Sequence, residues 1–150
     1  MKKILCCILT AVLLLNVMVV CASATETNVK TTYFADGSYA TVELLMNETR
    51  ASGSKSGNKV YTYYNSDSIA QWKAVLTGSF TYSGSNATCI SSSMNVTIYD
   101  SSWYTISKFA TKSGNTATGS ASIGEKVGGV TVIKVPVDLT LTCDGNGHLS

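Results

Sequence analysis

From Ala70 to Tyr82 the chain alternates with a period of two. Ala70, Trp72, Ala74, Leu76, Gly78, Phe80 and Tyr82 fall on one side, and Lys73, Thr77, Ser79 and Thr81 on the other. A helix would scatter these residues around its surface, whereas an extended strand keeps each set on one face. The pattern therefore predicts a long strand with one apolar side. The same period recurs in Ala40, Val42, Leu44 and Met46, in Ile90, Met94, Val96 and Ile98, and in Ile133, Val135, Val137, Leu139 and Leu141. Val60 to Tyr64, Trp103 to Lys112 and residues 116–123 supply shorter strands. Residues 65–68, 82–86, 100–102 and 113–115 are rich in Ser, Asn, Asp and Gly and read as turns. Residues 50–58 and 124–129 read as loops. No segment sustains a helical period, and Val, Ile, Thr and aromatic residues far outnumber leucine beyond residue 24. The expectation is an all-β fold, a single antiparallel β-sandwich or barrel of about seven strands. Pro136 has no N–H to donate, so the last strand lies at an edge there or is bulged.

The first 24 residues follow different rules. Lys2 and Lys3 precede a nearly unbroken apolar run from Ile4 to Val20, and Ala22-Ser23-Ala24 places small residues at a cleavage site. These are the three parts of a secretory signal peptide, a helix removed between Ala24 and Thr25. The alternative is an uncleaved membrane anchor, for which the run is just long enough. Met18-Val19-Val20 ahead of Cys21 disfavours lipid attachment there. The expected organisation is residues 1–24 as signal peptide, 25–38 as an N-terminal extended segment and 39–150 as the β domain. The mature chain is expected to be secreted, with no membrane association of its own.

Charge and cysteine counts narrow the function classes. Removing Lys2 and Lys3 from the 11 basic residues leaves as many basic as acidic side chains. A neutral chain lacks the basic footprint of a nucleic-acid partner. His148 is the only histidine, and its place in a tail expected to be mobile removes the usual general base. Of the 5 cysteines, Cys6, Cys7 and Cys21 leave with the signal peptide, while Cys89 and Cys143 stay. Two cysteines in an exported chain read as one disulfide, with two free thiols as the alternative. Cys89 is out of phase with Ile90 and Met94, so the bond requires a bulge within Ser91-Ser92-Ser93. Two cysteines and one histidine are too few for a metal centre, and no cofactor is expected.

Tyr63-Tyr64-Asn65-Ser66, Trp72, Leu76 to Gly84, Cys89, Thr97-Ile98-Tyr99, Trp103, Lys112 to Ala117 and Leu139 to Asp144 form a pattern that resembles small secreted proteins of Gram-positive intestinal bacteria. The resemblance covers residues 60–150. That group carries no assigned function, so the resemblance implies export, the cysteine pair and the β pattern, and no catalytic or binding residue.

No motif specifies a reaction. Ser52 and Lys55 have the Ser-x-x-Lys spacing but fall in the predicted loop. Glu43 and Asp138 are carboxylates in mid-strand; the other acids fall mostly at strand ends and turns, where solvation explains them. Asp144-Gly145-Asn146-Gly147 has the opening of a calcium loop, but His148 and Leu149 occupy the positions that need a ligand and a glycine, so it reads as a turn. Asn47, Asn86 and Asn95 begin glycosylation triplets of a kind that a Thr-rich chain contains by chance.

The 8 Tyr, 2 Trp and 3 Phe remain as recognition chemistry. Trp72 is assigned to the core. Tyr61, Tyr63 and Trp103 form the candidate binding patch, against the alternative that they pack into the core or its margin. Residues 116–135 have the pattern of a sandwich hairpin and also of a membrane-inserting one. The expected function is a non-catalytic extracellular binding module for a glycan, cell wall or protein surface. A secreted hydrolase with paired carboxylates and a self-assembling or membrane-inserting β protein are the alternatives. The mature protein is expected to begin at Thr25; an intact mass from culture supernatant that includes Met1, or a lipid on Cys21, would refute the cleavage.

Overall fold

The computed structural model describes residues 29–47 and 53–150. The expected signal peptide, its expected cleavage site and most of the segment before Lys30 lie outside the described residues. Among those described, eight strands form two antiparallel sheets packed as a sandwich. The larger sheet is a meander of β1 (Lys30–Tyr33), β2 (Tyr39–Asn47), β3 (Ser54–Tyr64), β4 (Ala70–Tyr82) and β5 (Ala87–Ile98). The chain then crosses to the second sheet, in which β6 (Trp103–Ser113), β7 (Thr116–Val127) and β8 (Val130–Thr142) follow in order. The strand beyond the expected seven is β1, which lies inside the N-terminal extended segment and begins the β architecture at Lys30 rather than at residue 39.

The period-two reading of β4 holds. Trp72, Ala74, Leu76 and Phe80 are fully buried, and Ala117, Ile123, Leu139 and Leu141 face them from the smaller sheet. Gly119 completes this contact. A side chain there would start 2.9 Å from atoms of both Leu76 and Met94, which occupy the space it leaves.

Three loop and register expectations change. Residues 54–58, read as part of a flexible loop, belong to β3 and pair with residues 77–81 of β4. Their polar side chains suit a sheet margin, and ladder pairing on both sides outweighs the composition. The loop expected at 124–129 shrinks to a two-residue hairpin, Gly128-Gly129, with φ of 59° and 83°. Positive φ at both central residues is the twist a tight hairpin needs, and glycine adopts it without a Cβ clash. The bulge predicted within Ser91–Ser93 occurs at Ile90: Ser79 pairs with Ser91, but the next residue, Phe80, pairs with Cys89. It turns Cys89 inward as expected and leaves Ile90, assigned by parity to the core face, 50% exposed.

The tail is also ordered by contacts. Asp144 Oδ1 accepts the backbone N–H groups of Asn146 and His148, at 2.8 and 2.9 Å. This closes the turn expected at Asp144–Gly147 and returns Leu149 to pair with Cys143. His148 is thus held in a hydrogen-bonded turn, 3.0 Å from the Asp144 carboxylate, rather than on a mobile end.

Candidate functional site

The register of the larger sheet lays out its outer face in rows. Glu43, Val60 and Val75 pair across β2, β3 and β4; Thr41, Thr62 and Lys73 form the next row; Leu45, Asn58 and Thr77 flank them on the other side. These rows enclose an open depression of about 500 Å³. Val60 and Val75 give it an apolar floor, and Tyr64 and Tyr99 border it. Tyr64 stacks on Tyr39 at 4.7 Å and 10°, and Tyr39 meets Tyr33 at 5.6 Å, so three tyrosines run across β3, β2 and β1. Lys73 Nζ lies 6.0 Å from the centre of the Tyr99 ring. Thr77 donates to Asn58 Oδ1 at 2.7 Å, which holds the Asn58 amide in place beside the floor. Opposite charges on Glu43 and Lys73, a fixed Asn58 amide, the half-buried Tyr64 ring and the exposed Tyr99 ring thus surround one apolar surface.

The predicted patch of Tyr61, Tyr63 and Trp103 is not on the surface. Tyr63 and Trp103 are 8% and 5% exposed and belong to the core, and Tyr61 is half-buried against it. Trp72 lies between the parallel rings of Tyr61 and Tyr63, at 5.4 and 5.3 Å, and Trp103 crosses from the other sheet at 5.9 Å and 53°. Burial of Tyr61, with its neighbour Tyr63 second, pushes the Tyr61 phenol above its ordinary pKa. Side chains alternate along β3, so Tyr61 and Tyr63 face away from Val60 and Tyr64; the core takes the first pair and the outer face takes the second. The aromatic residues that border the outer-face depression, and that the sequence reading did not single out, are Tyr64 and Tyr99. One signal pointed to Tyr64: it adjoins Tyr63, and alternation along a strand turns one of the two to the outer face.

A second, smaller cleft of about 160 Å³ contains two carboxylates, Asp36 and Glu125, together with Trp103. Tyr63 donates to Ser38 Oγ at 2.9 Å, and Ser38 Oγ donates to Asp36 Oδ1 at 2.6 Å. The Ser38 hydroxyl, and then its backbone N–H, hold the Asp36 carboxyl below the usual carboxylate range. Asp36 is therefore ionised at neutral pH. Asp138 accepts from Ser120 on the outer face of the smaller sheet, away from Glu43. Among the described residues no group of three or more His, Cys, Asp or Glu could hold a metal ion.

Cys89 and Cys143 lie at one end of the sandwich, both buried. Their N–H groups donate to the carbonyls of adjacent residues, Gly114 at 2.7 Å and Asn115 at 3.1 Å. The expected bond is not formed in this structure, where both sulfurs are free thiols. Burial is the main cause that raises both thiol pKa values; Lys112 opposes it at Cys89, and Asp144 adds to it at Cys143.

Compared with known protein families, curated proteins and solved structures, the chain matches none. The aromatic cluster makes a direct prediction. Tyr63→Ala and Trp103→Ala should each cost about 3–5 kcal/mol of stability, measured by chemical denaturation. Near-zero losses would return these rings to the surface.

Proposed function

We propose that the mature protein is an exported binding module that holds a glycan chain on the outer face of its five-stranded sheet. The observation that carries this reading is the depression of about 500 Å³ bordered by Tyr64 and Tyr99. Its size lies within the roughly 300–1,000 Å³ of ordinary ligand sites. A sugar ring offers an apolar C–H face and a rim of hydroxyls. The tyrosine rings and the Val60–Val75 floor suit the first, and Glu43, Asn58 and Lys73 suit the second. The rigid sheet beneath lets binding proceed without ordering a loop, which limits its entropic cost.

The test is a glycan and cell-wall array probed with the mature domain, followed by titration of the bound glycan against Tyr64→Ala and Tyr99→Ala. Each substitution should weaken binding by about tenfold or more, or roughly 1.4 kcal/mol, with the melting temperature preserved. No glycan bound, or unchanged affinity in both variants, would refute the reading. The hydrolase alternative rests on Asp36 and Glu125 in one cleft; turnover of a bound glycan that Glu125→Gln abolishes would favour it.

We further propose that export joins Cys89 to Cys143. The support is their placement beside the same β6–β7 turn, and that they are the two cysteines left once the signal-like start is removed. Each thiol loses a hydrogen to an extracytoplasmic oxidant and the two sulfurs bond. The raised thiol pKa values leave little thiolate at neutral pH, so spontaneous closure should be slow and a thiol oxidoreductase should speed it. The intact mass of protein from supernatant should be lower than the dithiol mass by two hydrogens. The chain-entropy model assigns the bond about 4 kcal/mol, so reduction should lower the melting temperature by many degrees. Two alkylatable thiols in the exported protein would end the proposal.

A further inference from the structure

The β1–β2 loop, the β3–β4 turn, the β5–β6 turn and the Gly128-Gly129 hairpin all lie at one end of the sandwich. Two cavities share a wall there. One, of about 160 Å³, lies among Asn65, Gln71, Trp103 and Glu125. The other, of about 310 Å³, lies among Phe34, Ala35 and Val135. Asp36, Ser38, Tyr63 and Ile133 line both, so a polar compartment adjoins an apolar one. Phe34 and Ile133 are still 40% and 42% exposed, which leaves the apolar compartment open to solvent.

The two acids come from different sheets. Glu125 pairs with both Trp103 and Ile133, so these three side chains share the inner face of the smaller sheet. Asp36 comes from the β1–β2 loop and is held by the core. Tyr63 donates to Ser38 Oγ, and Ser38 donates to Asp36 Oδ1 through its hydroxyl at 2.6 Å and its backbone N–H at 3.0 Å. Both Ser38 bonds go to one oxygen, which leaves Oδ2 for a donor from outside. The carboxylate is thus positioned before any ligand arrives, and positioning it adds no cost to binding.

No Lys, Arg or His lines either cavity among the described residues. Lys126 follows Glu125 directly but belongs to the opposite face, where its ammonium lies 4.3 Å from the centre of the Tyr104 ring. The polar compartment therefore holds two carboxylates and no cation of its own. Like charges lining one small cavity repel, and a cation seated between them removes that repulsion. A metal ion would want more oxygen ligands than two carboxylates supply. The rings suit an organic cation. Phe34 meets Tyr63 at 5.9 Å, Tyr63 meets Trp103 at 5.2 Å, and aromatic faces attract an ammonium group.

We propose that these two compartments bind an amphipathic organic ammonium, with its cationic nitrogen between Asp36 and Glu125 and its apolar body among Phe34, Ile133 and Val135. The site is separate from the glycan face: Tyr63 lines it, whereas Tyr64 borders the depression on the other side of β3. Either site can therefore fail its test without the other. Asp36 and Glu125 act here in binding and not in turnover.

The test is calorimetric titration of the mature protein with phenylethylammonium and with hexylammonium, each set against the alcohol of the same skeleton, with amide chemical shifts followed in parallel. Saturable binding of an ammonium is expected, with shifts centred on Asp36, Ser38 and Glu125, and the matching alcohol should bind about tenfold more weakly or worse. Glu125→Gln keeps the side chain's size and removes its charge; it should weaken the ammonium by about tenfold and leave the alcohol unchanged. Phe34→Ala should weaken ammonium and alcohol alike. Phe109→Ala, at a ring 59% exposed on the outer face of the smaller sheet, should change neither. Four results would overturn the proposal: no saturable binding of either ammonium, equal affinity for ammonium and alcohol, unchanged affinity in Glu125→Gln, or shifts confined to other parts of the sandwich.

Discussion

The stacking of Trp72 between Tyr61 and Tyr63, closed from the opposite sheet by Trp103, fixes how the two sheets meet. Trp72 is fully buried, and its ring contacts join β3, β4 and β6. Aromatic pairs at these separations add roughly 0.5–1.5 kcal/mol each beyond the area they bury. The stack also determines the outer surface. Side chains alternate along a strand, so committing Tyr61 and Tyr63 to the core sends Val60 and Thr62 outward. The depression on the outer face is the counterpart of the aromatic core behind it.

The open sides of the sandwich are managed unequally. At the β5–β6 side, Lys112 donates to the Ile90 carbonyl and Lys108 reaches Asn95 Oδ1, so inward-facing lysines close the gap between the sheets. Inward charges of this kind also discourage pairing with a foreign strand. At the β8 side, Pro136, the Lys59–Thr140 contact and the tail protect only the part from residue 136 onward. The other end keeps Val130, Val132 and Ile133 exposed. An edge guarded along half its length differs from one left open throughout, and the unguarded half adjoins the apolar cavity at Phe34.

Period and phase were legible in the residues; which face turned inward was legible only where one side was plainly polar. Trp72 to Phe80 satisfies that condition at every outward position but Val75, and its core assignment stands. Val60 to Tyr64 does not, because valine and tyrosine occupy both phases, and the patch was assigned to the wrong one. The polar run from Ser54 to Asn58 concealed a strand, since its pairing is set by β2 and β4 and not by its own composition. Cys89 shows the reverse case. Its conflict with the neighbouring phase required a bulge, and the structure has one adjacent to the predicted serines.

Three of the acids are engaged in setting turn geometry. Asp100 accepts the hydroxyl and N–H of Ser102, Asp36 those of Ser38, and Asp144 the amides of its own turn. These bonds hold each carboxyl below the usual range, with the Ser102 hydroxyl first for Asp100 and the His148 amide first for Asp144. A carboxylate hydrogen-bonded in this way stays ionised at neutral pH and is poorly placed to donate a proton. General acid chemistry needs the opposite, a carboxyl kept protonated by burial or a like charge. The turns therefore use these acids as caps that set the loop geometry. Glu43 remains on the outer face beside Val60, where a carboxylate that need not exchange a proton can still accept hydroxyl hydrogen bonds from a sugar.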